Sequence, residues 1–323
     1  MSAQPRSLIL TRTDIAALMR PADWLAAAEA AFRAAGERRA DAPSPLAIQS
    51  AQGVFHAKGA GLRGPRPYVA LKLNANFPGN PERRGLPTIQ GAILLCDGAS
   101  GAVLAIMDSI EVTLRRTAAA TALAARYLAR PEAATILICG CGAQGAAQLE
   151  ALRETLPLTH CLTWDHDPGR AAAFDGAEVS EDLAAAALAS DIIVTCTTSR
   201  QPFLDRSMVR PGTFVAAVGA DSPEKSEIAP ALMASAKVVA DVLDQCILMG
   251  DLNHAIAAGA MTQEAVHAEL AGLVIGARPG RTSAEEITLF DSTGMGLQDV
   301  AAAAMIYERA AGDDRWPAVA LAA

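Results

Sequence analysis

Thr135-Ile136-Leu137-Ile138-Cys139-Gly140-Cys141-Gly142-Ala143-Gln144-Gly145 decides how this chain is read. An apolar, β-prone run empties into a G-x-G-x-x-G turn, and a helical run from Ala146 to about Glu154 follows. Leu162-Thr163-Trp164 then reads as the next strand, closed by Asp165, 20 residues beyond Gly145. A dinucleotide site needs this order. Gly140 makes the tight turn, Gly142 lets the backbone approach a pyrophosphate, and Gly145 lets helix and strand pack closely. The helix start, with Ala143 and Gln144, offers N–H groups and a positive dipole end to the phosphates. Asp165 can accept hydrogen bonds from the adenosine ribose hydroxyls and repels a 2′-phosphate, so the expected cofactor is NAD(H) rather than NADP(H). Asp167 is a rival, but Asp167-Pro168-Gly169 reads as a turn. The strand before, the helix after and the distant acid separate this motif from a glycine turn that serves packing alone.

At 323 residues the chain is about twice the usual domain length, so two domains are expected. A hydrophobic content of 51% with 19% charged residues fits a well-packed globular protein. The net charge of −8 argues against nucleic acid or an anionic membrane surface as partner. The N-terminal residues lack a charged-then-apolar leader, and no apolar run approaches the roughly 18–20 residues of a membrane span. The cysteines, Cys96, Cys139, Cys141, Cys161, Cys196 and Cys246, form neither a disulfide framework nor a C-x-x-C metal pair. A reduced, cytoplasmic protein without a metal is expected.

Leu8-Ile9-Leu10 reads as a short strand, followed by helices at about 13–19 and 21–39 that break at Pro21. From Ala42 to Val103 the pattern is β-like, with short runs at 46–48, 54–56, 68–72 and 91–95 separated by Gly and Pro. Cys96-Asp97-Gly98-Ala99-Ser100-Gly101 marks a hairpin turn into 102–107, and an Ala-rich helix spans 113–128. Strands and helices then alternate at 135–139, 146–154, 161–164, 182–189, 191–196, 213–219 and 237–241, the mark of a parallel, helix-covered sheet. The expected fold is α/β: a β-rich α+β substrate and dimerisation domain at 1–130, completed by 300–323, with a last helix at 298–311, and a Rossmann-type domain at 131–299. An inserted domain of this kind places the expected ligand cleft between the two.

Several polar residues stand out against this pattern. Lys72 lies inside the run 69–73, either as an edge-strand lysine reaching solvent or as a cation for a substrate carboxylate. Of Arg115 and Arg116, adjacent on a helix, one is expected to face solvent and the other the site. Asp221 follows the strand ending at Val218, where an open parallel sheet presents residues to ligand; its alternative is to cap a helix beginning near Glu224. Phe290-Asp291-Ser292-Thr293-Gly294 reads as a second such loop, or as a cap for the helix after it. Lys72, Arg116 and Asp221 together suit a substrate carrying one carboxylate and one nitrogen. No H-E-x-x-H or nucleophile elbow supports metal or hydrolytic chemistry.

Lys72, Gly85-Leu86-Pro87-Thr88, Ala105-Ile106-Met107-Asp108, Thr113-x-x-Arg116-Thr117-Ala118-Ala119, Gly140-x-Gly142-Ala143-Gln144, Val218-Gly219-Ala220-Asp221 and Ile287-Thr288-x-x-Asp291-Ser292-x-Gly294 carry a resemblance. In these motifs, spread over nearly its whole length, the chain resembles the ornithine cyclodeaminase/mu-crystallin family. The resemblance implies a homodimer joined through β-structure of the N-terminal domains, a nicotinamide cofactor, a carboxylate held by Lys72 and Arg116, and a substrate nitrogen served by Asp221. Cofactor contacts are expected from Thr117, Thr197, Val218, Gly219, Ser292 and Gly294 besides the glycine turn. Family members cyclise ornithine to proline with loss of ammonia, reduce cyclic ketimines such as Δ1-pyrroline-2-carboxylate, or act as alanine dehydrogenases or iminosuccinate reductases. Mu-crystallin adds a hormone-binding role.

The cyclodeaminases carry an arginine before the second strand and a glutamate on it that meets the substrate's amine. Here Ala42-Pro43-Ser44-Pro45 has no arginine, and His56 stands where the glutamate is expected, with Lys58 placed to restore a cation. His56 is either a site residue or an ordinary strand histidine. A substrate with one nitrogen and one carboxylate is therefore favoured, and with it an NADH-dependent imino acid reductase or the reverse amino acid dehydrogenase. Ornithine cyclodeaminase and a non-catalytic, cofactor-dependent binder are the alternatives.

Overall fold

The computed structural model describes residues 6–43 and 45–321. Ser44 of the arginine-free piece and residues 1–5 lie outside the described residues. Residues up to Arg116, together with those from Met295 onward, form one unit, and Thr117–Gly294 form the other. These compact units divide at 116/117 and 294/295, where the sequence suggested 130/131 and 299/300. The first falls inside the helix Ser109–Leu128, which begins four residues earlier than expected. Asp108 caps it, its Oδ1 accepting from the amides of Ile110 (3.0 Å) and Glu111 (2.8 Å). The helix end belongs to the second unit, where the Leu128 carbonyl accepts from Thr288 Oγ1 and Arg281 Nε, both at 2.7 Å.

The first unit is built on an eight-stranded, mainly antiparallel sheet. Its order runs Ala318–Val319, Ser7–Leu10, Val103–Asp108, Ile89–Asp97, Tyr68–Asn76, Gly53–Leu62, Ala40–Asp41, and Leu46–Ser50 pairs with Gly53–Leu62 as well. The strand Tyr68–Asn76 alternates strictly: Tyr68, Ala70 and Lys72 are buried, while Val69, Leu71 and Leu73 are exposed. The helices Pro21–Gly36 and Gly296–Ala310 pack together, and Gly296–Ala310 lies on the strands Gly53–Leu62, Tyr68–Asn76 and Ile89–Asp97. A Cβ on Gly296 would stand 2.9 Å from the Gly59 carbonyl oxygen, so only glycine lets this helix start so close to the sheet.

The second unit carries an eight-stranded sheet whose pairings are all parallel. It runs Glu178–Val179, His160–Trp164, Thr135–Cys139, Ile192–Thr195, Phe214–Ala217, Thr288–Asp291, Lys237–Ala240, Ala268–Glu269. This is a Rossmann order with its switch point between Thr135–Cys139 and Ile192–Thr195. The central strands are continuous apolar runs because both faces are covered. Ile136, Ile193, Val215 and Leu289 are fully buried, each contributing about 2 kcal/mol. Two expectations are corrected here. Phe290 and Asp291 are not loop residues but the end of an inner strand, and the loop starts at Ser292. No helix begins at Glu224, because Ser226–Ile228 is a short strand paired with Arg200–Leu204.

Candidate functional site

The glycine turn of the second unit has the geometry its spacing predicts. Gly140 sits at φ +104°, a conformation L-residues avoid, and a Cβ there would lie 2.8 Å from the Cys196 carbonyl oxygen. At Gly145 a Cβ would fall 2.2 Å from the Gly140 carbonyl oxygen and 3.0 Å from Ile138 Cγ2, so helix and strand touch only because it is glycine. At Gly142 a Cβ would meet nothing within 4 Å, leaving open space in front of the turn. Gly142 is the N-cap of the 11-residue helix Ala143–Arg153 and gives it no side-chain cap. An uncapped helix start behind an open glycine fits a pyrophosphate.

Asp165 Oδ2 accepts the Cys141 amide at 2.7 Å and Oδ1 accepts the Asp167 amide at 2.9 Å. The carboxylate is thereby fixed at the lip of the turn, just past the end of the strand next to the glycine strand, where a ribose diol belongs in this fold. Asp167 is occupied elsewhere, capping the short helix Pro168–Ala172 through the Gly169 amide at 2.9 Å.

The remaining candidates of this unit lie at carboxyl ends of sheet strands or, for Thr117, on the long helix. Sequence reasoning missed the acids that fasten them. Glu227 is fully buried and takes four hydrogen bonds: Thr197 N (2.6 Å) and Thr197 Oγ1 (2.7 Å) to Oε1, Thr195 Oγ1 (2.8 Å) and Gly219 N (2.8 Å) to Oε2. Burial, aided by the nearby Asp251, pushes its carboxyl up to about 7 against the pull of these donors. Gly219 must be glycine, since a Cβ there would stand 2.5 Å from Glu227 Oε1 and from the Thr197 carbonyl oxygen. Val218 is buried beside it, its amide bonded to the Thr195 carbonyl at 2.9 Å. Asp241 plays the same part for the last loop, accepting from Ser292 Oγ (3.3 Å), Thr293 Oγ1 (3.1 Å) and the Gly294 amide (2.5 Å). Asp221 is exposed, its side chain 57% accessible, and pairs with Lys225 Nζ at 2.6 Å.

In the first unit a charged cluster is buried under the helix Gly296–Ala310. Lys72, 4% exposed, places Nζ 2.8 Å from Asp299 Oδ2 and 3.2 Å from Thr113 Oγ1. Arg116, 7% exposed, sets Nε 3.2 Å from Asp299 Oδ1 and Nη1 2.9 Å from Gln298 Oε1. Arg115 is the outer member of the arginine pair, tied to Glu111 at 2.9 Å. Lys58 sits directly opposite Lys72 in the strand pair, and His56 opposite Asn74, so all four side chains emerge on one sheet face. Lys72 is therefore no edge lysine. Burial brings its ammonium down to about 7 despite the pull of Asp299, with the charges of Arg116 and Lys58 adding to the fall. Asp299 is held below the usual carboxylate range: burial works against it, but Lys72 and Arg116 prevail. It also occupies the first turn of its helix, where a negative charge is favoured. Three cations, Lys72, Arg116 and Lys58, are thus gathered around one acid, Asp299.

Among the described residues no group of three or more His, Cys, Asp or Glu side chains could hold a metal, and no helix is long and apolar enough to cross a membrane.

Residues 6–314 match the profile of the ornithine cyclodeaminase/mu-crystallin family. An alanine dehydrogenase from Archaeoglobus fulgidus is 37% identical over 310 residues, 94% of this chain and 95% of that protein. An iminosuccinate reductase from Paracoccus denitrificans is 34% identical over 312 residues, 94% of this chain and 96% of that protein. A solved archaeal alanine dehydrogenase dimer with bound NAD superposes with a TM-score of 0.92 at 35% identity, covering 97% of this chain and 99% of that one. With the fold, the glycine turn and this similarity in agreement, the chain belongs to the ornithine cyclodeaminase/mu-crystallin family.

Proposed function

We propose that this protein is an NAD(H)-dependent imino acid reductase, or in reverse an amino acid dehydrogenase. The observation that carries the reading is the buried Lys72–Asp299–Arg116 cluster with Lys58 beside it, in a chain that also holds an open dinucleotide turn. A nicotinamide supplies or accepts the hydride when bound. The chain's own residues do the rest. Lys72 and Arg116, with Lys58, neutralise a substrate carboxylate; Asp299 keeps the two cations apart and aimed. Asp221 delivers a proton to the substrate nitrogen in the reductive direction, a general acid role. Lys225, paired with Asp221 at 2.6 Å, keeps that carboxyl in place.

The face of the first unit's sheet opposite Lys72 exposes Leu46, Ile48, Val69, Leu71 and Leu73. A contiguous apolar face of this kind calls for a partner, and a second copy of this chain is the partner we assign. The six cysteines, all free thiols, support a reduced, cytoplasmic setting. Leu71→Asp should give a monomer by sedimentation; an unchanged sedimentation coefficient would remove this face from the interface.

The test of function is to follow NADH absorbance while Δ1-pyrroline-2-carboxylate, then linear imino acids, are added to the enzyme, with ornithine plus NAD assayed for ammonia in parallel. NADH loss without ammonia from ornithine establishes a reductase. Ammonia and proline without net NADH change would instead establish a cyclodeaminase, the reading disfavoured by His56 at the position of an expected glutamate. A solved lysine cyclodeaminase, 31% identical with a TM-score of 0.84, keeps that lyase chemistry within the same fold.

A further inference from the structure

The reading of the glycine turn as a dinucleotide site divides the carboxyl edge of the parallel sheet into two halves. Thr135–Cys139 and His160–Trp164 serve the adenosine half, and strands beyond the switch point, Ile192–Thr195 and Phe214–Ala217, serve the nicotinamide half. Cys196-Thr197 and Val218-Gly219 leave those last two strands; the amides of Cys196 and Val218 still bond the carbonyls of Cys139 and Thr195, both at 2.9 Å, but the ladder does not reach the amides of Thr197 and Gly219. Glu227 does. Its Oε1 holds the Thr197 amide and hydroxyl, and its Oε2 holds the Thr195 hydroxyl and the Gly219 amide, so one carboxylate bolts the two segments together. Glu227 is held in turn: Asp251 Oδ1 accepts its amide at 2.8 Å, that of Ile228 at 2.9 Å, and Ser226 Oγ at 3.2 Å. All four groups facing Glu227 are donors, which an ionised carboxylate satisfies and an amide cannot, because a side-chain NH2 would meet another N–H or O–H.

The geometry points to Glu227 as the positioning residue for the nicotinamide half of the cofactor site: it touches no cofactor itself but sets the spacing of Thr197 and Gly219. The inference rests on the dinucleotide reading and is tested apart from it, with two ligands that differ only in the nicotinamide.

NADH and ADP-ribose are titrated against the purified holo-competent protein by calorimetry, for wild type, Glu227→Gln and Thr195→Val. Glu227→Gln should weaken NADH about tenfold (about 1.4 kcal/mol) while ADP-ribose stays within about twofold of wild type. Thr195→Val removes one donor without a donor–donor clash and should show the same selectivity at about threefold, which keeps the test open should the first variant fail to fold. Equal losses for both ligands would overturn the inference, since Glu227 would then support the unit as a whole. Unchanged affinities for both would overturn it too. A wild type that binds neither ligand would instead bring down the dinucleotide reading.

Discussion

Removing the acid at the centre of the charged cluster exposes what it does. In Asp299→Asn the side chain keeps its shape and one carbonyl oxygen but loses its charge. At 2.8 Å and an effective dielectric of about 20, the gross attraction between Lys72 and Asp299 is about 6 kcal/mol, most of it cancelled by desolvation. Breaking a buried pair leaves its partner uncompensated and costs about 3–5 kcal/mol. With about 3 kcal/mol withdrawn from the charged form of Lys72, its ionisation falls by about two pH units, from about 7 to about 5. If Lys72 holds the substrate carboxylate as proposed, only its ammonium form does so, and kcat/KM should decline as pH rises through this ionisation. The wild type should lose activity around pH 7 on the alkaline side, and Asp299→Asn around pH 5, leaving it about fiftyfold weaker at pH 7. The assay is kcat/KM for imino acid reduction from pH 5 to 9, with urea unfolding run alongside. A folded variant whose alkaline limb stays where the wild type's lies would refute the electrostatic account of Lys72.

Three further outcomes follow from the same geometry. Asp165→Ser removes the carboxylate that would face a 2′-phosphate and should raise the NADPH-to-NADH ratio of kcat/KM by at least about tenfold; an unaltered ratio would show that another group sets the preference. Asp221→Ala should abolish turnover while NADH binding, followed by its fluorescence, stays within about twofold; retained turnover removes Asp221 from the chemistry. Lys72→Met tests linkage: folded Lys72 ionises at about 7 and unfolded lysine at about 10.4, so between these values the unfolded chain binds the extra proton and stability rises with pH. From pH 7 to 9 wild type should gain about 2 kcal/mol relative to Lys72→Met in urea titrations; parallel curves would contradict a buried, depressed lysine.

The parts of the site carried by one short stretch of chain were legible in the sequence. The glycine turn, Asp165 and the strand–turn–helix around them interact locally, so spacing alone encodes their geometry. Lys72 was legible because a charge at an inward position of an alternating strand, between Ala70 and Asn74, has to be explained. Glu227 and Asp299 were not. Glu227 belongs to Asp221-Ser222-Pro223-Glu224-Lys225-Ser226-Glu227, a run that looks like any solvated loop until Ser226–Ile228 pairs with Arg200–Leu204 and buries it. The one available signal was the Ile228 that follows it. Asp299 lies 183 residues beyond Arg116 and reads as an ordinary first-turn acid of an Ala-rich helix. Its burial follows from Gly296 pressing against Gly59, a contact no local pattern announces. Asp291 was misplaced for a related reason: its strand lies between two that precede it in the chain, so sequence order gave no cue to its inner position.

The helix Gly296–Ala310 also sets a timetable for synthesis. The ribosome delivers Lys72 and Arg116 first, then every residue of Thr117–Gly294, and only afterwards the Asp299 that pairs with both. Until that helix emerges, the first unit's sheet has an uncovered apolar face and two cations with no acid to settle on. The inserted unit, whose sheet is complete within its own stretch of chain, is free to fold while the first one waits. The first unit is thus completed late, by the closing of one helix over one lysine.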